Sequence, residues 1–243
     1  MNLKLLHIFL LSTAGTFLLC TPFINTVELA NGLVTGKMCW FHLAMLFFSV
    51  CVFFVMLTKK GTVIAFTFSD PLVLFFAGGV LITYKWNLNP EPEKLIFAGQ
   101  LVILWFLLRY VLTAYREFKF FFLFVLMFTG LIEAVWGMQQ LHGYSHSNHS
   151  LFRLTGSFFN PGPYSGYIAV ILPVCLWTAL RFQKGMHYFA WICVGAILIV
   201  LPAGMSRSAW IAAVVACGWV YWTERIGWEK TKAVYRRNKN ATI

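Results

Sequence analysis

Apolar runs of about 18 to 24 residues, nearly free of charge, recur along this chain, and each is long enough to cross roughly 30 Å of hydrocarbon as one helix. Lipid offers no partner for backbone N–H and C=O groups, so such segments fold as helices that satisfy those groups internally. Hydrophobic residues make up 60% of the 243, and mean hydropathy is +0.74. A soluble core of this size uses less apolar material. The expected fold class is all-α, a polytopic transmembrane helix bundle of about 8 spans, near 5–24, 38–57, 63–84, 95–114, 120–141, 161–180, 188–204 and 207–223. No small-residue cleavage pattern follows the first run, which therefore reads as a retained span. Ser69-Asp70-Pro71 looks like an N-cap followed by proline at the first helical position, so the third helix proper is expected from Pro71, with 61–69 at the interface.

A net charge of +11 invites a nucleic-acid reading, but the cations sit between spans and at the C-terminal end, where inner-leaflet loops meet anionic lipid. With the N-terminus inside, the inner segments carry Lys4, Lys59, Lys60, Arg109, Arg116, Lys119, Arg181, Lys184 and six more from Arg225 onward. That is 14 of the 19 Lys and Arg, leaving Lys37, Lys85, Lys94, Arg153 and Arg207 outside. The asymmetry predicts both termini in the cytoplasm and outer loops at 25–37, 85–94, 142–160 and near 204–206. Trp40, Trp86, Tyr144, Tyr188 and Trp222 fall at expected span ends, as interfacial belts do. The organisation expected is a bundle over 1–223 and a basic cytoplasmic tail over 224–243, surface-bound or disordered. Internal repeats are absent from the sequence. Cys20, Cys39, Cys51, Cys175, Cys193 and Cys217 lie within or beside apolar runs without redox or metal spacing, and read as small buried hydrophobes.

Arg153 and Arg207 stand out as the outer-face arginines, each close to the start of a helix running inward. Asn160, ahead of Pro161, can cap the sixth helix, and Ser206 can cap the eighth. Helix starts present unpaired N–H groups and partial positive charge, and arginine adds a planar fork for phosphate oxygens. Convergence of the two starts would create a phosphate site at the outer boundary; the alternative is a solvated Arg153 and an Arg207 that snorkels to headgroups. Glu133 lies about 12 Å below the outer end of the fifth span, as a functional acid or as the structural partner of Arg153 or another polar group. Gln139 and Gln140 can bond a sugar or meet headgroups. Gln100 is ambiguous, and Arg109 is expected to snorkel inward. His142, His146 and His149 match no metal-ligand spacing and read as a polar loop. Asn148-His149-Ser150 and Asn240-Ala241-Thr242 fit the glycosylation acceptor pattern, the second on the inner side where that modification does not occur.

Three segments together carry a resemblance. "RLTGSFFNPGPYSGYIAVILPV" (Arg153–Val174) resembles the Arg-x-x-Gly-Thr-Phe-x-Asn-Pro-Asn-x-x-Gly signature of the O-antigen ligase and polymerase superfamily. "MSRSAWIA" (Met205–Ala212) resembles its Ser-Arg-Ser/Gly-Ala segment, and "IEAVWGMQQL" (Ile132–Leu141) the glycine-glutamine span end that precedes both. The order and spacing over 132–212 agree as well. The resemblance implies a glycosyltransferase at the outer face of the bacterial inner membrane. Such an enzyme moves a glycan from undecaprenyl diphosphate to an acceptor glycolipid or glycan, as in lipopolysaccharide biosynthesis, with no cofactor or metal. Arg153 and Arg207 would hold the diphosphate and steady the charge growing on it as the glycosidic bond breaks, with Asn160, Ser206, Glu133 and Gln139 in support. Two departures matter. Gly162-Pro163 follows Asn160-Pro161 where the family has a second asparagine. The family's later outer loop, with its proposed catalytic histidine, has no counterpart here. Either the sequence is part of a longer product or another group serves, and the catalytic base is unassigned. A transporter or flippase for a lipid-linked glycan, or a non-catalytic binding subunit, is the competing reading; transporters place charged sites at the midplane within repeats, unlike these surface arginines.

Overall fold

The computed structural model describes residues 3–26, 31–59, 61–62, 64, 66–87 and 91–240, with side chains as far as 226. Lys60 and part of the 25–37 and 85–94 loops lie outside the described residues, as do the last three residues, which include Ala241 and Thr242 of the second acceptor pattern. Among the described residues eight α-helices follow one another: α1 (Leu3–Leu19), α2 (Gly32–Thr58), α3 (Ser69–Trp86), α4 (Pro92–Ala114), α5 (Arg116–Leu141), α6 (Pro161–Arg181), α7 (Gly185–Val200) and α8 (Arg207–Asn240). Single 3-10 turns lie at Thr21–Phe23 and Pro202–Gly204. Among the described residues, five segments are long and apolar enough to cross a membrane: α2, α4, α5, α6 and Gly185–Gly204. Their outward faces carry the same message. On α2, Leu43, Leu46, Val50, Phe53 and Leu57 form a helical stripe, each more than half exposed. An apolar stripe of that length costs solvation in water and none in lipid.

The chain divides into two compact units, Met1–Thr21 with Thr35–Phe122, and Pro22–Val34 with Leu123–Ile243. In the first, Leu11 and Ala14 of α1 bury against Phe48, Cys51, Val52 and Val55 of α2, Tyr110 and Val111 of α4 and Phe118 at the start of α5. In the second, Tyr164, Ile168, Ile171 and Cys175 of α6 meet Ala190, Cys193, Ile197 and Val200 of α7. Ala209 and Ala213, one turn apart on α8, complete that core, small residues letting helix backbones approach closely.

Several sequence expectations change. The third helix begins at Ser69, before Pro71, and Ser69 does not cap it; instead the Asp70 carboxylate accepts the Thr67 N–H at 2.6 Å. Arg109 does not snorkel: it ion-pairs with Asp70, whose carboxylate also accepts the Trp105 indole N–H at 3.0 Å. Asp70 is buried and lies within reach of α4, so the pair forms where the sequence suggests an interfacial residue. Gln100 receives a partner too, its Oε1 lying 2.6 Å from His42 Nδ1. The eighth helix does not stop near 223 but runs to Asn240, since Glu224 onward is rich in good helix formers and contains no proline. Glu224 itself accepts the Trp177 indole N–H of α6 at 3.1 Å. All six cysteines are free; Cys51, Cys175 and Cys193 are buried, Cys20 and Cys217 partly so, and Cys39 is exposed.

Candidate functional site

The site is one end of the second unit, where the end of α5, the 142–160 loop, the start of α6 and the turn into α8 meet. Its organiser is Gln140. From the last turn of α5 this buried amide accepts the N–H groups of Thr155 and Gly156 at 2.9 and 2.7 Å, and donates to the carbonyls of His146 and Gly156, both at 3.1 Å. One side chain thereby satisfies backbone groups that burial would otherwise leave unpaired. Asn148 adds amide N–H bonds to the carbonyls of Gly156 and Phe158 at 3.2 and 3.0 Å. Gly156 is required twice over: its φ is +55°, and a Cβ there would come within 2.4 Å of the Tyr164 ring and 2.3 Å of Glu133 Oε2.

Glu133 is fully buried and bonded into the loop. Its carboxylate accepts the Ser157 N–H at 3.0 Å, and its backbone carbonyl accepts the Tyr164 hydroxyl at 3.2 Å. The Ser157 hydroxyl in turn donates to the Pro22 carbonyl at 2.6 Å. The neighbouring polar group is thus the partner, while Arg153 is exposed. Of the two glutamines, Gln139 is exposed, its carbonyl accepting the N–H of Tyr144 at 2.9 Å, while the buried side chain that holds the loop is that of Gln140. The glycine of the same span end, Gly137, leaves room for the Tyr164 hydroxyl, which would lie 2.1 Å from a Cβ.

Asn160 caps α6 as its position predicts: its backbone is extended and its side-chain oxygen accepts the Gly162 N–H at 3.0 Å, with Pro161 at the first helical position. One turn on, the buried Ser165 hydroxyl donates to the Gly204 carbonyl at 3.1 Å, which fixes the α7–α8 turn beside the α6 start. Ser206 stands just before α8; its carbonyl accepts the Trp210 N–H, and its hydroxyl lies 3.3 Å from that of Ser208. The Trp210 indole donates to the Leu201 carbonyl at 2.9 Å and closes the turn. Arg153 therefore precedes Leu154, which packs in the core with Tyr164, while Arg207 follows the turn bonded to Ser165. Both arginines are exposed, and neither forms an ion pair among the described residues.

The loop encloses a cleft of about 570 Å³ lined by Gln140, His142, His146, His149, Ser150 and Arg153. Two of the histidine rings are engaged: His142 Nδ1 lies 2.8 Å from the Met138 carbonyl, and His149 Nδ1 accepts the Leu151 N–H at 3.1 Å. No group of three His, Cys, Asp or Glu is placed to hold a metal ion among the described residues. These features define an α-helical protein of the membrane-spanning type with a polar, cation-bearing loop held rigidly at one end of a helix cluster. Compared with protein-family models, curated proteins and solved structures, the chain matches none.

Proposed function

We propose that this end of the second unit binds a lipid-linked diphosphate, and that the protein is an O-antigen-ligase-like glycosyltransferase of the bacterial inner membrane. In this reading the chain makes about 8 crossings with both termini in the cytoplasm, which sets the 142–160 loop on the outer side. The donor is an undecaprenyl-diphosphate-linked glycan, and the acceptor is a glycolipid or glycan. The observation that carries the reading is the double fastening at α6: Leu154 and Gly156 against Tyr164, and Ser165 against Gly204. In this reading both arginines, which form no ion pair among the described residues, serve the same end, beside a capped helix start. A diphosphate spread between them gains two planar N–H forks and the partial positive charge of that start. As the sugar leaves, negative charge accumulates on the diphosphate, and groups already in place stabilise it without reorganising.

Transfer is tested with purified chain in lipid nanodiscs, supplied with an undecaprenyl-diphosphate-linked oligosaccharide and candidate acceptors. The reading expects donor consumption in wild type that falls at least tenfold in Arg153→Ala and Arg207→Ala. Consumption equal in all three proteins would remove the arginines from the reaction.

A further inference from the structure

A second polar cleft, of about 520 Å³, opens in the first unit, with Lys4, His7, Thr58, Lys59, Tyr115 and Arg116 in its wall. It lies where helices end: Thr58 closes α2, Ala114 closes α4, and Arg116 opens α5. All three helices are long and apolar enough to cross a membrane, so their shared ends mark a membrane–water boundary. By sequence position Lys59 and Arg116 are topology signals, cations of inner-leaflet loops that meet anionic lipid. The structure gathers them around one cleft. The Lys59 ammonium donates to the Ala114 carbonyl and lies 4.0 Å above the Tyr115 ring, a cation–π contact that fixes its position. Lys4 is held at 2.6 Å by Glu117. Arg116 is exposed and forms no ion pair among the described residues.

The buried His7 ring forms the floor, bonded through Nδ1 to the Tyr115 hydroxyl and lying 2.8 Å through Nε2 from the Thr58 hydroxyl. Both nitrogens are engaged, so His7 shapes the cleft and is not a ligand. Three cations against the one carboxylate of Glu117 leave a net charge of +2. The C-terminal carbonyls of α2 and α4 bring partial negative charge to the same place and the first-turn N–H groups of α5 partial positive charge, so the side-chain cations set the sign of the cleft.

We propose that this cleft binds a phosphate group, presented either by an acidic phospholipid headgroup or by a free anion in solution. The assignment is independent of the donor site, since it involves neither Arg153 nor Arg207. It is tested by following thermal unfolding of the full chain in neutral detergent during titration with dioleoylphosphatidylglycerol, dioleoylphosphatidylcholine or inorganic phosphate. The proposal expects stabilisation by phosphatidylglycerol or by inorganic phosphate, and none by phosphatidylcholine. The half-saturating concentration should rise about fivefold in Arg116→Gln, one cation being lost near the anion. In Glu117→Gln it should fall by a similar factor, because the competing carboxylate is gone. The second variant matters because damage to the fold cannot tighten binding, and the exposed Lys4–Glu117 pair adds little stability. Saturation by inorganic phosphate identifies a soluble anion; a response confined to phosphatidylglycerol identifies the lipid. Equal responses to phosphatidylglycerol and phosphatidylcholine with none to phosphate, or half-saturation unmoved in both variants, overturns the proposal.

Discussion

Gln140 concentrates more of the site's order than any arginine does. Its truncation would strand two buried N–H groups, each costing about 1 to 3 kcal/mol, while the Gly156 carbonyl keeps Asn148. Gln140→Ala should therefore lower the thermal midpoint in detergent sharply, while Gln139→Ala, at an exposed position, should stay within about 0.5 kcal/mol of wild type. Gly156→Ala faces both a left-handed backbone and the Tyr164 ring, so it should destabilise by about 2 kcal/mol or more by the same measurement. Glu133 separates by chemistry. Glutamine at 133 keeps an acceptor for the Ser157 N–H and should hold the loop, whereas alanine leaves both a void and an unpaired N–H. If Glu133→Gln unfolds as readily as Glu133→Ala, the carboxylate is needed for its charge.

Between elements, the Asp70–Arg109 pair fastens the start of α3 to α4. Breaking one side of a largely buried pair leaves the other uncompensated, whereas replacing both with apolar residues removes the need for either. Asp70→Leu alone should cost about 3 kcal/mol, and Asp70→Leu combined with Arg109→Leu should recover most of it. This contact shows where the sequence was opaque: the residues are 39 positions apart, and no local pattern links them. What was legible is local or periodic. The apolar runs located the helices, and the Asn160-Pro161 cap was readable because an N-cap and its proline are neighbours. Gln140 was visible as a polar residue at a span end. Its role was hidden, because its partners lie 6 to 16 residues on in a loop whose path local rules do not specify. The start of α3 differs from its sequence expectation at Asp70, whose carboxylate takes Thr67 on one oxygen and Trp105 and Arg109 of α4 on the other.

At the scale of the molecule, exposed apolar stripes and five helices of membrane-spanning length and composition make lipid the solvent of this fold. The proposed topology predicts that, with the native cysteines replaced, a membrane-impermeant maleimide labels Ser150→Cys from the outer face of intact cells and labels Lys184→Cys only after permeabilisation. Labelling of both from outside would contradict the inward termini. The expected crossings rest on the apolar runs and the expected sidedness on charge counting, whereas the proposed pairing of the two arginines rests on contacts of α6 that no local pattern shows. The most direct measurement of that pairing is the affinity of the purified protein for undecaprenyl diphosphate in detergent, compared with Arg153→Ala and Arg207→Ala. Loss of a bidentate phosphate contact should weaken binding about tenfold or more in each variant. Affinity unchanged in both would mean that no diphosphate rests between them.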